Sequence, residues 1–556
     1  MAKSRKIILI ILAILTVIAS ITKILIGLDY DENYITVLGT RLLQGDHLFR
    51  ECWDLYQTTG LTMTLVLGIF KGITGSYEGA ILFCRSITAV LQLLLGMFTW
   101  YSLKKYFRNA DFAGLLVANL MPRGTLNLEY GFLSCNYILV SMILLLLVSQ
   151  EWDAWSKLKI RLCLIVAGVL FSMGILCYPT MILATLPLIA YLIRNKERKE
   201  QGLFFIGTCI VCAVIFCGYV FSYLSPVELW NNVTGGIFLD ESHGNGNFIN
   251  SFWGSFTLSK EKLLQVGTIT GTALGTYGIY YWINKEKLPY ACHLMLVSSF
   301  AFIGLNLLNI RPCGVFGMQI RYVLIGVAGG VISYKIKNIE LSYLFYAMGV
   351  FMFLGTLLGS NLGIAENGAF LYLSMLAVIL GLGEVDYQKE VTYKLTNISV
   401  ILLIASLILM KGYIVRVNGT EPANILEVRE QIEFGPFKDL FIESEEIVNY
   451  SIRKEDIDQY VTEDDIVLVL SQDPIYNIYG EYRFSSVTAL TTPIYGQQWV
   501  TYYKDRSYVQ PTVVLIDKQY LNLDTLLNQT SFGAYLTEEY DVDDLQDGQG
   551  FWILRK

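Results

Sequence analysis

Charge is scarce in this chain. Only 16% of its 556 residues are Asp, Glu, Lys or Arg, against 54% that are hydrophobic, and mean hydropathy is +0.48. A soluble multidomain protein is excluded by that balance. No basic patch of the kind that grips phosphate backbones is visible, so nucleic acid is excluded as a partner. Of the ten cysteines, eight lie in or beside apolar runs, where cysteine acts as a small apolar residue. The other two, Cys52 and Cys313, fall in loops without metal-ligand spacing, so neither a disulfide framework nor a zinc site is supported. An internal repeat is also missing, which weakens an inverted-repeat transporter.

What the chain does have is long apolar runs through its first three quarters. A run of about 20 apolar residues spans a bilayer as a helix. The start, Lys3-Ser4-Arg5-Lys6 before the run 7–28, is too long for a signal peptide and lacks a small-residue cleavage site. We read it as a retained signal anchor. Basic clusters recur at Lys3/Arg5/Lys6, Lys104/Lys105/Arg108, Lys157/Lys159/Arg161, Arg194/Lys196/Arg198/Lys199, Lys285/Lys287, Lys335/Lys337 and Lys389/Lys394. If all are cytoplasmic, each neighbouring pair is separated by an even number of crossings.

That parity settles the segment 61–75, which carries Lys71 and is bounded by Gly60 and Gly75. It is too short to cross and reads as a juxtamembrane or re-entrant helix. The crossings are then 7–28, 80–103, 111–126, 132–149, 162–177, 180–194, 203–224, 262–283, 289–309, 320–334, 341–359, 369–383 and 395–413. The expected fold is mainly α: a polytopic helical bundle of about thirteen spans in the plasma membrane. Its N-terminus is cytoplasmic, and a small extracytoplasmic α/β domain follows. The division falls at 1–415 and 416–556, with the first external loop at 29–60. Short apolar runs at 466–470, 512–516 and 551–554 read as buried strands of the C-terminal domain.

The first loop concentrates acids: Asp29-Tyr30-Asp31-Glu32-Asn33-Tyr34. Ile35, Leu38, Leu42 and Leu43 recur at helical spacing, predicting a helix over 32–43 lying on the membrane surface. Asp31 as its N-cap and Glu32 as a first-turn charge is the bland reading. Three acids in four residues at a membrane mouth exceed what a cap requires.

These residues carry a resemblance. Asp31-Glu32-x-Tyr34, the run Arg41-Leu42-Leu43-x-Gly45-Asp46, and Trp53-Asp54 before a short apolar helix resemble the first loop of GT-C glycosyltransferases. The nearest group holds the protein O-mannosyltransferases and the lipid A aminoarabinose transferases. Gly75-Ser76-x-Glu78-x-Ala80 and Arg85 are similar to that family's second crossing. The detailed match covers 29–105. Residues 57–60, Gln-Thr-Thr-Gly, replace the prolines usual there, and Asn136 stands where some members have an acid.

The resemblance implies a sugar moved from a polyprenyl-phosphate donor to an acceptor hydroxyl on a glycan, lipid or protein. Such transfer needs a base for the hydroxyl proton and positive charge for the departing phosphate. By family position Asp31 is the candidate base and Glu32 its assistant, with Tyr34 and Asp54 as substrate contacts. Arg85 is the candidate phosphate ligand, since arginine's forked donors suit phosphate; snorkelling or pairing with Glu78 is its alternative. Arg123, Arg311 and Arg321 are rivals for that role.

Asp240 and His243 could join the first-loop acids around a divalent metal, or be a solvated loop. His47 and His293 read as structural. Against the transferase stands a non-catalytic lipid or polysaccharide flippase, which should carry charge at mid-membrane depth along several crossings. Here ionisable residues gather at the external ends. A polymer ligase of different fold is a third reading.

Overall fold

The structure, a computed structural model, describes residues 2–556 other than 123, 125, 195–198, 238–247, 308–314, 334–337, 361, 417–421, 427, 429 and 490–495. Apolar sequence winds into helices because lipid offers backbone groups no other partner than their own chain. In order the helices are α1 (Ala2–Leu25), α2 (Tyr30–Leu43), α3 (Gly60–Thr74), α4 (Ala80–Leu103), α5 (Ala110–Ala118), α6 (Tyr130–Gln150), α7 (Lys157–Cys177) and α8 (Thr185–Arg194). There follow α9 (Lys199–Phe221), α10 (Pro226–Gly235), α11 (Phe248–Ser255), α12 (Lys260–Asn284), α13 (Tyr290–Leu307), α14 (Val315–Ser333), α15 (Met348–Leu358), α16 (Tyr372–Gly383) and α17 (Glu390–Tyr413). Each of the thirteen expected crossings contains one of these helices. Eight helices among the described residues are long and apolar enough to cross a membrane.

One crossing departs from expectation. The run 111–126 was read as a helix, yet α5 stops at Ala118. Pro122 accounts for the stop, since it cannot donate to a helical ladder and disfavours helical geometry just before it. Three of the carbonyls here, those of Ala118, Leu120 and Pro122, are taken by side chains. Lys411 of α17, fully buried, donates to Ala118 O at 2.9 Å and to Gln92 Oε1 at 2.7 Å. Gln92 donates to Leu120 O, and Gln319 to Pro122 O at 2.7 Å. Non-helical backbone is tolerated at membrane depth only when enclosed and satisfied in this way.

The two ends of the bundle differ in chemistry. At one end Arg5 pairs with Asp111 at 2.8 Å, Lys105 with Glu151, Arg161 with Glu200, and the Arg108 N–H reaches Glu384. These are the basic clusters of the sequence. At the other end the chain leaves α17 through a short ladder of β1 (Ile414–Arg416) with β2 (Pro422–Asn424). A second ladder, β3 (Glu430–Gln431) with β4 (Phe441–Ile442), and α18 (Ser444–Tyr460) follow.

A five-stranded sheet completes the C-terminal α/β region. Its strands are β5 (Ile466–Leu470), β6 (Arg483–Phe484), β7 (Val513–Asp517), β8 (Gln546–Asp547) and β9 (Phe551–Arg555), in the order β6-β5-β7-β9-β8. The first three run parallel, with Val467 opposite Val513, and β9 runs antiparallel to β7. The three strand runs expected from the sequence are β5, β7 and β9, buried because both sheet faces are covered.

This region sits on the first loop. Gly27 N–H donates to Phe441 O at 2.9 Å, Trp53 N–H to Val487 O at 3.0 Å and Gly79 N–H to Gly435 O at 3.0 Å. Lys71 pairs with Glu481 at 2.6 Å. Segments flanking both ends of α3, and Lys71 within it, therefore touch the same region. At 15 residues it would reach only about 22 Å. Leu65, Ile69 and Ile73 face outward from it, as expected of a helix bedded in lipid.

Candidate active site

The site forms where α1 ends, α2 begins and α4 starts. Gly27 turns the chain with φ of 88°, a left-handed value glycine adopts without strain. That turn aims the carbonyls of Ile24, Ile26 and Gly27 at Arg85. The N-cap of α2 is Asp29, whose Oδ1 accepts the Asp31 N–H at 3.0 Å. This corrects the sequence reading that put Asp31 in that role. Asp31 lies in the first turn, half-buried, and its carboxylate has no hydrogen bond or ion pair among the described residues.

Glu32 and Arg85 form a buried, bidentate ion pair. Arg85 Nε donates to Glu32 Oε1 at 2.7 Å and Nη2 to Oε2 at 2.6 Å; the residues are 1% and 4% exposed. With the three carbonyls this engages all five guanidinium donors. Glu78, the alternative partner, instead pairs with Lys438 at 3.1 Å. Beside the pair is a narrow cleft of about 10 Å³, room for little more than a water, lined by Lys23, Asp29, Glu32, Arg85 and residues 26–28, 124 and 126. The segment after the α5 break supplies one wall, and from it Asn127 donates to Glu32 O at 3.2 Å.

The helix α2 does not lie on a membrane surface as its amphipathic pattern suggested. Residues 32–41 are all buried between α3 and the C-terminal region. The approach to α3 is close enough that a Cβ at Gly39 would stand 2.6 Å from Met63 Cγ. Apolar residues of one face meet α3, and the polar face meets protein instead of water.

The remaining sequence candidates fall in different places. Tyr34 is buried near Asp54 and Tyr130, and burial first, then the Asp54 charge, pushes its phenol up. Asp54 is built into the interface: both its oxygens receive the Ala489 N–H, at 2.9 and 3.1 Å, and Arg41 lies 3.7 Å away. Arg321 is buried in α14, donating to Ser406 at 2.6 Å with its guanidinium 4.9 Å from the Phe302 ring. It does not line the cleft. Arg123, Arg311, Asp240 and His243 lie outside the described residues. No group of three or more metal-binding side chains occurs among the described residues.

Two functional candidates escaped the sequence reading. Lys23, in the last turn of α1, lines the cleft and donates to Ile414 O at 3.2 Å. Asn33 of α2 donates to Asp473 Oδ1 at 2.8 Å, tying the acidic turn to the C-terminal region. The signal for Lys23 was available, since an ionisable residue inside an apolar span marks a site by default. Nothing local in the sequence joins Asn33 to Asp473, 440 residues apart.

No protein-family model matches the chain, and no curated protein matches it. Two solved structures align with it over its whole length: ArnT from Cupriavidus metallidurans in the apo state, and ArnT from the same organism bound to undecaprenyl phosphate. Each is 13% identical to it, the alignment covering 100% of this chain and 98% of that chain with a TM-score of 0.40.

Proposed function

We propose that the chain is a membrane glycosyltransferase of GT-C type that takes sugar from a polyprenyl-phosphate carrier at the extracytoplasmic face. The observation that carries this reading is the acidic turn of α2. It presents one unpartnered carboxylate, Asp31, beside one carboxylate locked onto an arginine, Glu32 on Arg85. Two neighbouring acids held in different electrostatic states divide roles between them. Asp31 is placed to accept a proton from an acceptor hydroxyl. Lys23 at the cleft supplies positive charge where the carrier phosphate departs, and Arg85, its plane fixed by Glu32 and its donors taken, adds its charge without a direct hydrogen bond. The lipid tail would lie along the outer bundle surface, and the basic clusters at the far end favour a cytoplasmic position for that end.

The test uses the full chain in nanodiscs. Undecaprenyl phosphate serves as the binding probe, and radiolabelled polyprenyl-phosphate hexoses and pentoses serve as donors. Loss of label from the lipid fraction, abolished by Asp31→Asn while undecaprenyl phosphate still binds, is the expected result. A wild-type chain that binds no carrier phosphate and releases no label from any donor would sink the reading.

A further inference from the structure

The first turn of α2 is gripped from two sides by consecutive residues. Glu32 is held from the membrane side by Arg85, and its backbone carbonyl by Asn127. Asn33 is held from the C-terminal region by Asp473. Consecutive side chains on a helix diverge by about 100°, so two anchors at 32 and 33 fix both the position and the rotation of the turn. A single anchor would leave rotation about it free. Asp31 has no anchor of its own, so its carboxylate stands wherever that rotation sets it.

The outer anchor is itself rigid. Besides Asn33, Asp473 accepts the Ile475 N–H at 3.0 Å on the same oxygen and the Tyr450 hydroxyl at 2.5 Å on the other. Ser471, just beyond β5, donates to Asp473's neighbour Asp517 at 2.6 Å, and Arg453 of α18 closes on Asp517 at 2.7 Å. The latch residue thus stands at the carboxyl ends of the two central parallel strands, β5 and β7, the part of an open α/β sheet where side chains project from a fixed frame. Asn33 and Asp473 are both buried, so the bond between them is charge-assisted and not exchanged with water.

We propose that Asn33 and Asp473 are positioning residues: a latch through which the C-terminal region sets the rotation of α2, and with it the placement of Glu32 at the cleft and of Asp31 next to it in the same turn. This rests on the transferase reading for its purpose but not for its geometry. Sites of this kind need their groups held within about 0.5 Å by supporting contacts, and the α/β region supplies that support from outside the membrane.

A reciprocal swap tests it, with the full chain in nanodiscs. Asn33→Asp sets carboxylate against carboxylate. It should weaken undecaprenyl phosphate binding about tenfold and speed hydrogen exchange of amides 31–36 by about as much. Adding Asp473→Asn restores an amide–carboxylate pair with the partners exchanged, and both readouts should return to within about twofold of wild type. Should Asn33→Asp fail to fold, Asn33→Ala removes the bond without adding charge and should show the same two changes. Unchanged exchange in Asn33→Asp, or a swap no better than Asn33→Asp alone, would overturn the latch. A wild-type chain that binds no undecaprenyl phosphate would count against the transferase reading, while the exchange measurement would still decide the latch.

Discussion

Arg85 and Arg41 anchor the two ends of one helix, and the protein buries them to different ends. Arg85 holds Glu32 at the edge of a cleft, so its charge is felt by whatever enters. Arg41, 1% exposed, is walled in: Nε meets Asp46 at 2.6 Å, Nη1 meets Val487 O at 3.3 Å, and Nη2 meets Glu51 O at 2.5 Å and Ser486 O. Those carbonyls belong to the loop and to the C-terminal region, so Arg41 seals the contact between them. The sequence motif around each arginine looks equally functional. Surroundings alone separate a residue that can act on a ligand from one that holds the fold.

The largest effect expected from this contrast is on stability. Arg41→Met leaves buried Asp46 with only the more distant Arg483, at 3.6 Å, a loss of about 3 kcal/mol by analogy with other broken buried pairs. Thermal melting in detergent should show it, and an unchanged melting temperature would erase the distinction drawn here. Asp31→Asn should instead leave melting unchanged and lower sugar release by about 100-fold. Because Asp29 is the cap, this substitution carries no capping penalty to confuse the result. A near-normal rate would pass the role of base to Asp29 or Glu32.

Arg85→Lys keeps a cation for Glu32 but loses the forked contact and the carbonyls beyond it. Carrier binding should fall by about tenfold to a hundredfold, measured with undecaprenyl phosphate. If Arg85→Lys lost stability as Arg41→Met does while binding held, the two arginines would be alike after all.

The smallest effect is a pH dependence at the latch. Burial, with a lesser push from Asp517, raises the Asp473 carboxyl to about 6 against the hydrogen bonds of Tyr450, Ile475 and Asn33. The folded chain then holds this proton more tightly than the unfolded chain, whose carboxyl titrates near the ordinary value of about 3.9. Stability from this group falls as pH rises between those two values and is flat outside them. Asp473→Asn should remove that slope from a melting-temperature series taken from pH 4 to 7, leaving the curve otherwise parallel.

Much of this architecture was legible in the residues. Basic clusters set the expected parity of crossings, and Arg5, Lys105 and Arg161 from them form ion pairs at one end of the bundle. The short strands announced themselves by unbroken β-branched and aliphatic runs. The failures share a cause. The end of α5 was missed because hydropathy sees apolar residues but not the side chains that accept a broken ladder, and Lys411 lies 293 residues from Ala118. The burial of α2 was missed because a polar helix face reads the same whether water or another region of protein covers it. Asp31 and Glu32 were visible as a pair, but which of them was held and which was unpartnered depended on Arg85, 53 residues beyond Glu32.

The interrupted crossing bears on how the chain is made. A helix of nine residues spans only about 14 Å and cannot settle in a bilayer alone. Its open carbonyl at Ala118 waits for a lysine that leaves the ribosome nearly 300 residues later. During synthesis α5 would therefore need shelter against α4 and α1 until α17 arrives. The cleft wall at Gly124 and Leu126 would then take its final form late, although it belongs to the first quarter of the chain. Truncation before α17 should thus leave the N-terminal helices inserted but the cleft unmade.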